Sequence, residues 1–150
     1  MFGKPYAEYL RFQWPLLALT AVVGLLRLVM SISGMPDSTT KYASMTVVAF
    51  ISIVYYGLRV GRTGFGTYRH LLPLIFNQAF LGNAISILGI VLSAYGMKNV
   101  YTADEFGGAS FSSPMTHALG HLFIGNIVGS LIGWGLASLV MLVGGRPKKD

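Results

Sequence analysis

The chain has 150 residues, of which 53% are hydrophobic and only 11% charged, with eleven Lys and Arg against five Asp and Glu. A soluble domain of average composition is about 25% charged, and a small one exposes much surface per unit volume, so these numbers exclude a soluble single domain and a disordered chain. The absence of Cys removes disulfides, thiolate catalysis, Fe–S clusters and Cys-based zinc sites. The chain is expected to be an all-α integral membrane protein: one domain over residues 1–150, an antiparallel bundle of four transmembrane helices.

Residues 1–13 read as a short interfacial segment. Phe2, Tyr6, Tyr9, Phe12 and Trp14 are aromatics of the kind found at headgroup level. A hydrocarbon core of about 30 Å needs roughly 20 apolar residues, and four stretches qualify. The first runs from Trp14 to Ile32 and is broken only by Arg27. Pro15 suits its first turn, Gly34 its end. The apolar stretch is too long for a signal peptide and no A-x-A-like cleavage site follows it.

The second span covers Tyr42–Leu58, with Ser38, Thr39 and Thr40 as candidate caps. The third covers Leu71–Gly96, with Pro73 in its first turn. The fourth covers Met115–Val143 after Ser112, Ser113 and Pro114, a start signal of Ser cap and Pro at the first helical position. Gly144 or Gly145 terminates it. The stretches are too long and too uniform for barrel strands, so helices are the remaining way to satisfy the backbone in lipid.

Eight Lys and Arg fall on the termini and the second loop (Lys4, Arg11, Arg59, Arg62, Arg69, Arg146, Lys148, Lys149), against Lys41 and Lys98 on the other side. The positive-inside rule then places both termini in the cytoplasm, most simply in a bacterial inner (plasma) membrane. The expected partners are the lipid bilayer, anionic lipid at the cytoplasmic face and further copies of the chain. Nucleic acid is not expected, because no basic stripe is interleaved with stacking aromatics. The Gly-containing loop Val60–Arg69 lacks the G-x-G-x-x-G pattern of a nucleotide site. The longest loop, Lys98–Ser113, carries Asp104 and Glu105 and reads as a loop or outer lid.

Polar residues within the spans are the candidate ligand-binding residues: Arg27, Asn77, Gln78, Asn83, His117, His121 and Asn126. Arg27 stands about 20 Å along the helix from Trp14. An arginine there costs about 2.5–3.5 kcal/mol unless it snorkels or pairs, and no span holds an Asp or Glu to pair with it. Asp37, Asp104, Glu105, a lipid phosphate and an anionic ligand are the possible partners. His117 and His121 are four apart and share a helix face, with His121 expected at the depth of Arg27. Two His can hold one metal ion only with further ligands, and a haem would need a His from another helix, where His70 is badly placed. No cofactor is expected; haem or metal at His117 and His121 is the lesser alternative.

Asn83 and Asn126 close two similar runs, Phe80–Asn83 and Phe123–Asn126, near mid-bilayer. Asn77 and Gln78, with Tyr55 and Tyr56, lie nearer the inner side. Gly125, Gly129 and Gly133 continue the His117–His121 spacing as a glycine zipper, and Gly82, Ser86, Gly89, Ser93 and Gly96 form a second small-residue stripe. Such stripes let helix backbones approach closely. No nucleophile–base–orienter set is evident, so an enzyme is disfavoured. The missing embedded acid argues against proton- or cation-coupled transport. Two functions follow: transport or binding of a small neutral or anionic molecule, ion or lipid in a polar intramembrane pocket, or a structural subunit of a homo-oligomer or larger membrane complex.

Overall fold

Sixteen charges spread over 150 residues leave long uncharged runs, and in the computed structural model these runs are helices. The structure describes residues 1–101 and 113–144, and all regular structure among them is helical. Four helical stretches are long and apolar enough to cross a membrane. In chain order the elements are α1 (Tyr6–Ile32), α2 (Asp37–Thr40), α3 (Met45–Arg62), α4 (Tyr68–Ala94), α5 (Pro114–Leu119), a π-helical turn (Gly120–Gly125) and α6 (Asn126–Gly144). The Asp104–Gly108 run, with the lid reading attached to it, lies outside the described residues, as do Arg146, Lys148 and Lys149.

The helix starts differ from the sequence expectation in ways that matter. α1 begins eight residues before Trp14, and it carries Tyr9 and Gln13 as fully buried side chains. Pro15 therefore sits inside α1, on an exposed position. Ser38–Thr40 belong to the separate turn α2, and Ser44 caps α3, its Oγ accepting from the Val47 amide at 3.3 Å. α4 starts at Tyr68, and His70 Nδ1 accepts the Thr67 amide at 3.0 Å. That moves Pro73 one turn deeper than expected. Ser113 caps α5 as anticipated, accepting from the Thr116 amide at 3.2 Å with Pro114 behind it. Gly34, at φ +81°, turns the chain just after α1, a left-handed conformation that favours glycine.

α6 packs against both α3 and α4, and α1 packs mainly against α4. Small residues set these distances. A methyl group added at Gly57 of α3 would lie 2.6 Å from the Ala137 carbonyl oxygen of α6, and one at Gly133 would lie 2.8 Å from Ile75 of α4. Polar side chains pin the helix ends together. Arg62 Nε donates to Gly144 O at 2.8 Å, and Trp134 Nε1 donates to Tyr68 O at 2.8 Å. Since His70 Nδ1 is an acceptor, its Nε2–H donates to Phe2 O at 3.1 Å and ties the N-terminal segment to α4.

Two apolar clusters result. One holds Tyr9, Leu16, Tyr56, Val60, Leu71, Leu74, Ile75 and Ala137. The other holds Leu28, Ile90, Val100 and Tyr101. Along α1 and α4 the stretches between them carry Thr20, Gln78, Asn83 and Ser86. The candidate site lies in that polar band.

Candidate functional site

Each helix contributes polar groups from one face. On α1, Gln13, Thr20 and Arg27 recur every seven residues, a spacing that nearly repeats in two helical turns. On α4, Gln78, Gly82, Asn83 and Ser86 recur at three- and four-residue intervals. On the fourth stretch the π turn Gly120–Gly125 carries His121, and such turns re-aim a side chain and are common at functional sites.

These groups surround a cavity of about 300 Å³, at the lower end of the roughly 300–1,000 Å³ range of ligand pockets. Four of the seven residues singled out in the sequence line it: Arg27, Gln78, Asn83 and His121. Thr20, Thr46, Ser86 and Tyr101 add hydroxyl groups, and Met45, Ala49, Ala79 and Gly82 fill the remaining wall. A second cavity of about 550 Å³ shares Arg27, Thr46 and Tyr101 and is completed by Asp37, Ser38, Lys41 and Val100. Arg27, Thr46 and Tyr101 thus stand between the α2 region and the polar band.

The hydrogen bonds have a defined sense. Tyr56 OH donates to Gln78 Oε1 at 3.2 Å, and Gln78 Nε2 donates to Thr20 Oγ1 and to Leu16 O at 3.4 Å. This latch joins α1, α3 and α4 at one end of the cavity. At the α6 wall, Asn126 Nδ2 donates to Leu122 O at 2.9 Å and Asn83 Nδ2 donates to Asn126 Oδ1 at 2.9 Å. Asn83 Oδ1 is left as an acceptor for His121 Nδ1, 2.8 Å away. A neutral His121 must then carry its proton on Nδ1, leaving Nε2 as an acceptor.

Arg27 supplies the charge. Its Nε is buried and has no hydrogen-bond partner among the described residues. The one ion pair among those residues is Lys4–Glu8 at 2.9 Å, far along α1 from Arg27. Asp37 lines the second cavity with Arg27 without forming an ion pair to it, and Asp104 and Glu105 lie outside the described residues. Burial raises the Tyr101 phenol above its ordinary value while the charge of Arg27 pulls it down, so Tyr101 presents a neutral O–H beside the guanidinium.

The other sequence-predicted residues stand around the cavity without lining it. Asn126 backs Asn83. His117 is almost fully buried, its ring centroid 5.1 Å from that of His121. Asn77 faces elsewhere, its Oδ1 accepting from Tyr6 OH at 3.1 Å. Among the described residues no three His, Asp or Glu side chains converge on one point, so His117 and His121 are the only adjacent pair of ligating type on this wall, and Asn83 holds Nδ1 of one of them.

Gly125 meets the Asn83 side chain and Gly133 meets Ile75, whereas Gly129 has open space outside it. Gly125 and Gly133 thus both meet α4, while Gly129, between them, meets nothing within 4 Å.

Thr20 and Tyr101 were not evident in the sequence as site residues. Thr20 had a signal, its seven-residue spacing from Arg27. Tyr101 had none, because it reaches the cavity only through the fold of the turn after α4. There, Val100 N donates to Ser31 Oγ at 2.7 Å, and Asn99 Nδ2 donates to Gly89 O at 2.8 Å. Compared with protein-family models, curated proteins and solved structures, the chain matches none.

Proposed function

We propose that this chain is a four-span membrane protein that binds, and by that means transports, a small neutral or anionic molecule in the polar cavity beside Arg27. The observation that carries the reading is the convergence of Arg27, Gln78, Asn83 and His121, from three separate helices, on one cavity. An arginine in a span costs about 2.5–3.5 kcal/mol. With no ion pair to it among the described residues, the Arg27 guanidinium and the Thr46 hydroxyl, together with the Tyr101 hydroxyl that otherwise meets Met45 Sδ at 4.0 Å, form a donor set for an oxyanion or a carbonyl oxygen. His121 Nε2 supplies an acceptor for a ligand hydroxyl or amide.

In this reading the spans run antiparallel, with both termini in the cytoplasm and the α2 side, with Arg27 and Tyr101, facing outward. The contacts of Arg62 with Gly144 and of Trp134 with Tyr68 support the pairing of ends, and the Lys and Arg distribution supports the orientation. A second reading, a structural subunit of a homo-oligomer, draws on Gly129, whose outer side is open to a helix of another chain.

The test is a thermal-stability screen of the purified protein in detergent against chloride, formate, acetate, phosphate and small neutral amides. A ligand at 100 times its Kd stabilises the folded protein by about 2.7 kcal/mol. At least one solute should raise the melting temperature, and Arg27→Gln should abolish that rise while Arg59→Gln retains it. A flat response to every class would remove the ligand-binding reading.

A further inference from the structure

A second cavity opens on the other side of the α4–α6 seam, and its chemistry differs. It is a groove of about 470 Å³ walled by Leu72, Pro73, Phe76, Ile127 and Leu131, closed at one side by Met1 and Tyr6 of the N-terminal segment, with Asn77, Asn126 and Ser130 as its polar lining. Phe76, Ile127 and Leu131 are among the exposed apolar side chains of helices long and apolar enough to span a membrane, so in the proposed four-span arrangement this side of the groove faces hydrocarbon.

The polar floor is asymmetric. Asn77 Oδ1 is occupied by the Tyr6 hydroxyl at 3.1 Å, but Asn77 Nδ2 is buried with no partner among the described residues. Ser130 is 2% exposed, and its Oγ also has no partner. Asn126, which borders the groove, has already used its oxygen on Asn83 and its nitrogen on Leu122 O. What remains without any partner among the described residues is the Asn77 amide NH₂ and the Ser130 hydroxyl, both covered in the groove, beside one further N–H of Asn126. Lipid tails have no acceptor to offer them, and an unsatisfied polar group in hydrocarbon is costly. The complementary molecule is apolar over most of its surface and carries a carbonyl oxygen with two lone pairs.

We propose that this groove is a binding site, distinct from the polar cavity, for a bilayer-soluble carbonyl compound: a hydrocarbon chain or ring along Phe76, Ile127 and Leu131, with its carbonyl oxygen accepting from Asn77 Nδ2 and Ser130 Oγ. The site draws on the membrane placement of the helices and not on any ligand of the Arg27 cavity, so either can fail alone.

The test uses two photoactivatable probes in phosphatidylcholine vesicles holding the full-length protein: a long-chain alkyl ketone with a terminal diazirine, and the same chain without the carbonyl. Labelled peptides are mapped by mass spectrometry. The ketone should label the peptides carrying Phe76, Ile127 or Leu131 about fivefold more than the alkane does, the ratio conferred by one net hydrogen bond. The double variant Asn77→Leu, Ser130→Ala should bring the ketone down to the alkane level. Equal labelling of the unaltered protein by the two probes would overturn the proposal, and that comparison needs no variant to fold. Undiminished ketone labelling of a folded double variant would overturn it too. So would absence of both labels from the groove together with dimer formation through a disulfide at Leu131→Cys, which would make a second copy the occupant.

Discussion

Asn83 and Asn126 are joined across α4 and α6 by one hydrogen bond of 2.9 Å, and they stand on opposite sides of a partition: Asn83 lines the polar cavity, and Asn126 lines the apolar groove. The pair closes the seam between the two spaces and fixes the tautomer of His121. Removing Asn126 takes the acceptor from Asn83 Nδ2, and removing Asn83 takes the donor from Asn126 Oδ1. Measured interhelical pairs of this kind average about 0.6 kcal/mol and reach about 1.7.

A double-mutant cycle with Asn83→Leu and Asn126→Leu, followed by thermal denaturation in detergent, should therefore give a coupling energy of about 0.6–1.7 kcal/mol. Strictly additive single effects would mean that the two side chains do not act as a pair.

The glycines of the bundle should separate sharply by position. A methyl group at Gly57 meets the Ala137 carbonyl oxygen, a backbone atom that cannot swing aside. Gly57→Ala should destabilise by about 1–3 kcal/mol, the range for overpacking a close contact. Gly129→Ala, which meets open space, should remain within about 0.5 kcal/mol of the parent. Chemical or thermal unfolding of the two variants checks both. Gly129→Leu, followed by size measurement in detergent, tests whether that open face is used by another copy: a smaller particle would indicate that it is.

These two predictions mark where the sequence was informative. The four long apolar helices were legible because a bilayer would demand a length and an apolarity that few other folds require. Arg27, Gln78, Asn83 and His121 were legible because a polar group in a span has to be explained. Helix starts were less so. Trp14–Pro15 carries the composition of an interfacial start, yet tertiary packing buries Tyr9 and Gln13 and extends α1 past it. The zipper spacing predicts small residues without saying which of them meet a neighbour: Gly125 and Gly133 meet α4 side chains, and Gly129, one turn from each, meets open space. Tyr101 depends on a turn folding back over α4, and no periodicity announces that.

The proposed orientation makes the loop around Gly34–Asp37 external and the turn around Gly64 internal. Reporter insertions at the two places should report opposite sides, with the Gly64 insertion cytoplasmic. The same side for both would contradict the order of the first two spans. The reverse assignment would keep the bundle and invert it.

The central claim, a solute-accessible polar cavity at Arg27, is most directly tested by thiol accessibility. The chain contains no Cys, so a single introduced thiol is the only one present. Thr46→Cys and Ser86→Cys replace cavity-lining hydroxyls, and Phe50→Cys, 59% exposed on α3, serves as the lipid-facing control. In sealed vesicles a membrane-impermeant thiol reagent should modify both cavity positions from the α2 side and leave Phe50→Cys unmodified. Protection of Thr46→Cys and Ser86→Cys from the reagent on both sides of the vesicle, with the proteins folded, would contradict the account.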